Sequence, residues 1–363
     1  MHKKLVAVLS AAAVVSSLSL AGSAAQAVTA TAISGKGSSF ANNAIQYCLA
    51  HYDPASNDTV TYTSTGSGTG RSEYAAGNIK WAASDGLYGV SDTKPAGAYT
   101  MVPLLGGPVV FAYNQNSGLP KGLRLDAATV SGILKGTVAT WNAPAIKKLN
   151  PGKTLPAKPI QVFYRTSGSG TTANLTNYLS QNLGASQWVA NSKDLLDASD
   201  GVSGNSAGSL AASAVAKTTS AIIADKLQST KYSFGYFDLS DAVSAKVGQV
   251  ALKNASGQFT LPTAAAAAKF LNAQEPVANV ADNRVDGSLN IDFTKKVSGA
   301  YQLSIVSYGI APRGSHTEVG RAVHDWFFYF VNSCMPSKGA SLGYVPLTGA
   351  LKNAALAQIN TIN

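Results

Sequence analysis

The sequence predicts an α/β protein of about two domains with mainly parallel sheets, and three observations carry that prediction. Runs of strand character alternate with runs of helical period along the chain, the pattern of layered α/β folds. Three times a strand-like run ends in a Gly/Ser/Thr or Asp turn directly before a helix-like segment. Length is the third: once an N-terminal export signal is removed, 336 of the 363 residues remain, too many for one compact core.

Residues 1–27 read as that signal. Met1, His2, Lys3 and Lys4 form a short positive start, residues 5–20 are mostly small and apolar, and Ala25, Gln26 and Ala27 offer a small-x-small cleavage site. The competing reading, a membrane anchor, has against it a weakly hydrophobic Ala/Ser-rich run only just long enough to span. Residues 20–23 (LAGS) resemble a lipoprotein signal with Ser23 where the lipidated Cys would stand. A free, secreted or extracytoplasmic protein of periplasm or cell envelope, cleaved near Ala27, is expected. No later apolar run approaches the ~20 residues of a membrane helix.

The elements follow in order. Residues 32–40 (AISGKGSSF) read as a strand entering a tight glycine loop, and a helix follows with Ala44, Ile45, Cys48 and Leu49 in helical register. Residues 60–64 (VTYTS) are a strand by their β-branched alternation. They run into residues 65–70 (TGSGTG), a second Gly/Ser loop, with a helix from about Arg71. Residues 81–85 (WAASD) are a third strand end. Residues 101–114 (MVPLLGGPVVFAYN) are a long extended run broken by Gly-Gly-Pro, as in a chain leaving one domain for another. Asp126 starts a helix through Ile133 and Leu134 that Gly136 ends. Residues 160–164 (IQVFY) are a strand that delivers Arg165 and the run SGSGTT of residues 167–172. Residues 220–223 (SAII) and 234–237 (FGYF) read as further strands, and the five alanines 264–268 as a surface helix turn. Residues 301–310 are a second extended run, the return crossing. Residues 318–332 read as an amphipathic helix with Val319, Val323, Trp326, Phe327 and Phe330 on one side.

Lys+Arg is 28 against 18 Asp+Glu, a formal charge of +10, which becomes +8 when Lys3 and Lys4 leave with the signal. The lysines are scattered, charged residues make up 13% of the chain, and no basic run is interleaved with aromatics, so nucleic acid is not the expected partner. A basic field that draws in a small anion, or adhesion to an acidic envelope, fits better. Two thiols in an exported chain usually pair, and a Cys48–Cys334 bond would put both ends of the chain in one domain. The alternative is two separate buried thiols. Neither has His or Cys neighbours at metal-site spacing, so no metal is expected.

The three loops carry what an oxyanion needs. Helix N-termini present unpaired N–H groups and partial positive charge, glycine lets the backbone come close, and hydroxyls donate without net charge. Arg165 adds a fork that bonds two oxygens of a tetrahedral anion. Any one loop is as well explained by an ordinary turn; the repetition raises the signal. Asp85 would repel a fully ionised ligand but would accept a hydrogen bond from a P–OH group and leave proton-free sulfate mismatched. A plain helix N-cap explains Asp85 equally well. Residues 204–208 (GNSAG) match the nucleophile elbow G-x-S-x-G without the strand the elbow requires, and only His51, His316 and His324 could serve a hydrolase as base after the signal is gone. No Walker lysine follows the glycines of residues 168–172. Catalysis is not expected, nor a cofactor.

At these residues the chain resembles the secreted phosphate-binding proteins that feed ABC-type phosphate importers, members of the periplasmic-binding-protein class. The resemblance runs through nearly the whole mature chain: residues 35–40, 66–70, 83–85, 106–110, then Leu134-Lys135-Gly136 with Trp141-Asn142 and Leu149-Asn150-Pro151-Gly152, then Arg165 with residues 168–171. It implies a two-lobed (type II) α/β fold with a hinge between lobes, residues 28–105 and 302–363 in lobe I, residues 106–301 in lobe II, and the Cys48–Cys334 bond inside lobe I. It implies inorganic phosphate as ligand, held by Ser39, Phe40, Ser67, Asp85, Arg165, Ser169, Gly170 and Thr171, with Ser38 and Arg71 as further candidates. It implies a monomer partnered by an ABC transporter permease, and arsenate as an isosteric competitor. The departures are Ser167, where some members carry an aspartate that pairs with the arginine, and Arg71, where relatives can have an apolar residue. The missing lipidation Cys also motivates a second reading, a phosphate scavenger or phosphatase-like protein not coupled to transport.

Overall fold

A computed structural model describes residues 29–89, 92–166, 168–195, 210–275 and 288–363. The signal with its cleavage site near Ala27, the Gly204–Gly208 motif and Ser167 lie outside the described residues. Twelve strands are described: β1 (Ala32–Gly37), β2 (Thr59–Ser64), β3 (Trp81–Ser84), β4 (Tyr99–Tyr113), β5 (Arg124–Leu125), β6 (Gln161–Arg165), β7 (Val215–Lys217), β8 (Ser233–Asp238), β9 (Gly248–Gln249), β10 (Ala251–Lys253), β11 (Phe259–Thr260) and β12 (Ser304–Pro312). The main sheet runs β2-β1-β3-β12-β4-β8-β6-β7, with β9 on β4, and β11-β10-β5 form a small second sheet.

Its two ends are parallel and its middle is antiparallel. β1 pairs parallel with β2 and β3, and β6 pairs parallel with β7 and β8. β4 and β12 run antiparallel to each other and to their outer neighbours β8 and β3. The expectation of mainly parallel sheets is therefore corrected to a mixed sheet. A strand that crosses the molecule and a strand that brings the chain back must oppose one another. The first part of β4 pairs with β12 and the last part with β8, so one strand joins both halves. The β12 register shifts between Ser307 and Tyr308, opposite Leu105 and Pro103. Proline lacks the N–H a regular ladder needs, so a bulge there is expected.

Side-chain caps set many helix starts. Asp126 accepts the Thr129 N–H before the helix Ala127–Lys135, and Gly136 ends it at φ 79°. Thr317 caps the helix Glu318–Tyr329, which buries Val323, Trp326 and Phe327 and then continues with a wider turn to Cys334. The Cys48–Cys334 disulfide is formed across 286 residues of sequence, tying the helix Asn42–Leu49 to that end of the chain.

Three local expectations are corrected. Residues 220–223 are the start of the helix Ser220–Ser229, capped by Thr219, rather than a strand. Their Ile222-Ile223 pair looked like strand in isolation, but only Ile223 is buried and Ile222 faces solvent. The alanines open the helix Ala264–Leu271, which buries Ala266, Ala267, Phe270 and Leu271, so they are more than a surface turn. The second Gly/Ser loop is already helical from Ser67, four residues before Arg71.

Candidate functional site

Four helix N-termini converge between the two halves of the sheet. The turn of Ser38, Ser39 and Phe40 follows β1 and precedes the helix Asn42–Leu49. The helix Ser67–Ala75 follows β2, and Gly170–Leu183 follows β6. The fourth, Ser220–Ser229, follows β7 and was missed because its first residues read as strand. A better signal was Thr218-Thr219-Ser220, hydroxyl residues at a strand-to-helix junction like the other three. First-turn N–H groups have no intrahelical partner, which gives each terminus its affinity for negative charge.

The approach is close. The Gly68 N–H donates to the Gly168 carbonyl at 2.8 Å. A Cβ on Gly170 would lie 2.5 Å from Ser67 Oγ and 3.0 Å from the Asp85 side chain, so any larger residue would push the two halves apart.

Asp85 is buried at the end of β3, and four hydroxyls surround its carboxylate. Ser38 Oγ donates to Oδ1, as does Ser307 Oγ at 2.8 Å. Ser67 Oγ at 3.2 Å and Thr171 Oγ1 at 3.4 Å donate to Oδ2. Asn174 Nδ2 donates to the Asp85 carbonyl at 2.6 Å. Burial raises the Asp85 pKa, opposed by the Ser38 and Ser307 hydrogen bonds, the Arg165 charge and Ser67. The N-cap reading fails, because no helix starts at Asp85. Ser307 was not identified from the sequence. It sits in β12 beside the bulge, more than two hundred residues from Asp85, and only sheet pairing brings them together.

Arg165 lies opposite, at the end of β6, and is 2% exposed. Its Nη1 donates to Ser39 Oγ at 2.8 Å and to Ser220 Oγ at 3.5 Å, and its Nη2 to the Thr218 carbonyl at 2.8 Å. Among the described residues it makes no ion pair, and its buried Nε has no hydrogen-bond partner. Burial pulls its pKa down, while Tyr236, Asp85, Asp238 and Asp241 favour its charge. The guanidinium is thus held in place by neutral oxygens.

The remaining candidates divide by what is left to them. Phe40 is core: its ring meets Tyr344 edge-on and its carbonyl accepts from Tyr344, so only its N–H can face a ligand. Ser169 caps the helix Gly170–Leu183, accepting the Thr172 N–H at 3.1 Å, which leaves its hydroxyl proton to donate. Ser38 is committed to Asp85. Arg71 serves the Asp85 turn: its Nη1 donates to Ser84 Oγ at 2.8 Å and to the Gly86 carbonyl at 3.3 Å, and its Nε lies 3.3 Å from Asp92. It thereby holds the Ser84–Asp85–Gly86 turn, while its Nη2 is buried without a hydrogen-bond partner.

A separate cavity of about 410 Å³ adjoins Asp85 on the Arg71 side, lined among others by Tyr88, Asn174, Asn177, Lys193 and Tyr308. Arg165 does not line it, so it lies beside the loop cluster rather than within it. Among the described residues no His/Cys/Asp/Glu group suited to a metal ion is present, and no helix is long and apolar enough to cross a membrane.

Comparison with known proteins agrees with this geometry. A family model described as the PBP superfamily domain matches residues 22–331. The chain is 29% identical over 320 residues to the phosphate-binding protein PstS of Xylella fastidiosa strain Temecula1, covering 87% of this chain and 81% of that one. Among solved structures, a high-affinity periplasmic phosphate-binding protein with phosphate bound at pH 8.5 superposes with a TM-score of 0.69 at 21% identity, covering 90% of this chain and 93% of that one. A phosphate-binding protein from Stenotrophomonas maltophilia does so with a TM-score of 0.63 at 20% identity, covering 90% and 94%. These structural matches bear on the fold, which is the two-lobed binding-protein fold that the sequence resemblance implied.

Proposed function

The chain belongs to the PBP superfamily, and on that premise we propose that it captures inorganic phosphate between its two lobes and delivers it to an ABC importer. The observation that carries this reading is the pairing across the cleft of an arginine that has no carboxylate partner among the described residues and a buried aspartate ringed by hydroxyls. The Arg165 fork and the N–H groups of the converging helix termini bind the phosphate oxygens. Ser39, Ser67, Ser169 and Thr171 supply hydroxyls, Phe40 and Gly170 backbone N–H groups, and Ser220 a further hydroxyl. Asp85 takes the hydrogen bond of the P–OH proton of monobasic or dibasic phosphate, which sulfate does not have at neutral pH. Ser38 and Ser307 hold the Asp85 carboxylate in position, and Arg71 holds its turn.

Lobe I comprises residues 28–105 and 302–363, lobe II residues 106–301, and closure of the two buries the anion and presents a closed shape to the permease. The protein acts as a monomer, exported by residues 1–27 and free of a lipid anchor. It binds and releases without chemistry, and arsenate competes because it is isosteric and also carries a proton.

Titration calorimetry with phosphate and sulfate tests the reading, with tryptophan fluorescence following closure; Trp81, Trp141, Trp188 and Trp326 are all buried. Tight phosphate binding with sulfate rejected by a factor of about ten or more is expected, since a misfitted buried charge costs about 1–3 kcal/mol or more. Equal affinity for the two anions would overturn the role given to Asp85.

A further inference from the structure

Among the described residues, one ion pair crosses between the two lobes. Lys193 Nζ lies 2.5 and 2.6 Å from the two carboxylate oxygens of Asp92, with Lys193 in lobe II and Asp92 in lobe I by the division above. Each end is tied to the anion site by further bonds. The Ser169 N–H donates to the Lys193 carbonyl at 3.2 Å, and Thr176 Oγ1 to the Ser192 carbonyl at 2.9 Å, which fixes the Lys193 backbone to the helix Gly170–Leu183 and its cap. On the other side the Gly89 N–H donates to Asp92 Oδ2 at 2.7 Å, and Arg71 Nε lies 3.3 Å from the same oxygen. Arg71 in turn holds the Asp85 turn through Ser84 Oγ and the Gly86 carbonyl. An unbroken chain of contacts therefore runs from Ser169 through Lys193, Asp92 and Arg71 to Asp85.

The charges make this link more than a rim contact. The Arg71 side chain is 3% exposed and its Nη2 is buried without a hydrogen-bond partner, so Asp92 is its one carboxylate among the described residues. The side chains of Asp92 and Lys193 are 21% and 22% exposed, partly shielded from water and salt, where an ion pair is stronger than on an open surface. Burial works against the Asp92 charge, yet the Lys193 hydrogen bond, Arg71 and the Gly89 N–H hold its pKa below the ordinary carboxylate range. Opening the lobes would part Lys193 from Asp92 and return both to water, so the pair favours the closed arrangement.

We infer that Asp92 is a positioning residue for the anion site, a clasp that grips Lys193 across the cleft and holds the lobes closed over the ligand. The inference rests on the phosphate reading and the lobe division above. A ligand that needs the closed form gains affinity in proportion to the closed population. A contact made only on closure slows release more than it speeds capture. The sign of the effect sets a clasp apart from plain electrostatics. Asp92 is an anion in contact with the arginine that holds the Asp85 turn, so on charge alone its removal would tighten phosphate. As a clasp, its removal loosens phosphate.

Calorimetry and stopped-flow tryptophan fluorescence with orthophosphate test it on the mature protein, on Asp92→Asn, on Lys193→Gln and on the double variant. Each single variant is expected to weaken phosphate about three- to tenfold, mostly as faster release. The double variant is expected to match the singles, because either change alone already opens the clasp. Phosphate bound by Asp92→Asn as tightly as by the wild type, or more tightly, overturns this inference and leaves the phosphate reading standing. Additive losses in the double variant also overturn it, since Asp92 would then act through Arg71 alone. Lys193→Gln leaves the Arg71–Asp92 contact in place and carries the test if Asp92→Asn does not fold. Slower capture with unchanged release in that variant would mean that Lys193 only attracts the anion, and overturns the clasp. A wild-type protein that binds no phosphate overturns both this inference and the phosphate reading.

Discussion

Two buried aspartates of this molecule are treated in opposite ways. Asp58 lies where the first strands meet the helix Glu318–Tyr329, and its carboxylate takes both Nη groups of Arg321 at 2.8 and 2.9 Å, the Thr31 N–H and the Ser56 hydroxyl. The Arg321 hydrogen bond holds its pKa down, from 3.8 to about 2. Nearby, the Cys48–Cys334 disulfide and the ring cluster of Tyr52, Trp326 and Tyr329 add permanent ties. Among the described residues Asp85 has only neutral donors, and burial raises its pKa. The rim around Asp58 is built from strong links within one half of the sheet. The cleft around Asp85 is built from weak links between halves, Ser39 to Arg165, Thr171 to Asp85 and Gly68 to Gly168. Strong links suit an edge that never opens. A surface that must release a ligand is better served by bonds exchangeable with that ligand and with water.

The comparison can be broken in several ways, taken from the largest expected effect downward. Arg165→Ala removes the guanidinium of the cleft and should weaken phosphate binding by about 2–5 kcal/mol in a calorimetric titration. The same protein should melt near the wild-type temperature, because Arg165 supports no ion pair among the described residues. Replacing Cys48 and Cys334 by serine inverts that result: a loss of about 2–5 kcal/mol in chemical denaturation with phosphate affinity little changed. Asp85→Asn should leave stability unchanged or raise it, since it removes a buried charge, while phosphate loses about 1–3 kcal/mol of its advantage over sulfate. A large drop in stability instead would show that Asp85, like Asp58, is a structural carboxylate.

pH separates the two aspartates by sign. Folding lowers the Asp58 pKa, so its pair contributes stability above the ordinary carboxylate range and loses it as pH falls through about 2. With allowance for solvent screening, that contribution is about 1–2 kcal/mol, and Asp58→Asn should abolish it in an acid denaturation series. Folding raises the Asp85 pKa, so its charge costs stability as pH climbs past the ordinary range, and Asp85→Asn should flatten that part of the curve. Smallest is Ser307→Ala, which removes one of four hydroxyls on Asp85 and should cost phosphate binding about 0.5–1.5 kcal/mol.

Much of this was legible along the chain, and what was not has a common cause. β1, β2, β3, β6 and their following turns are local patterns, a strand-like run ending in Gly, Ser or Asp before a helix, and they read correctly from composition and spacing. Asp126 and Gly136 bounded their helix for equally local reasons. Residues 220–223 failed because a four-residue stretch ending in two isoleucines suits either a strand or a helix flank, and only the packed neighbours decide which. The helix at Ser67 began early because Gly66, at φ 94°, ends the loop before the glycines do.

By itself the sequence determined the α/β class, the long crossing strands, the anion-loving chemistry of three turns and the presence of Arg165 and Asp85 beside hydroxyl residues. Backbone propensity, turn chemistry and charge act over a few residues, so they are written where they act. Only the tertiary structure decided that β4 and β12 run antiparallel through the middle of the sheet, that Ser307 and Ser220 join the cleft, that Arg71 supports the Asp85 turn from behind, and that a cavity opens beside it. Each of those depends on which strands lie side by side and which helix faces which, and pairing across two hundred residues is set by the packing of the whole core rather than by any stretch within it.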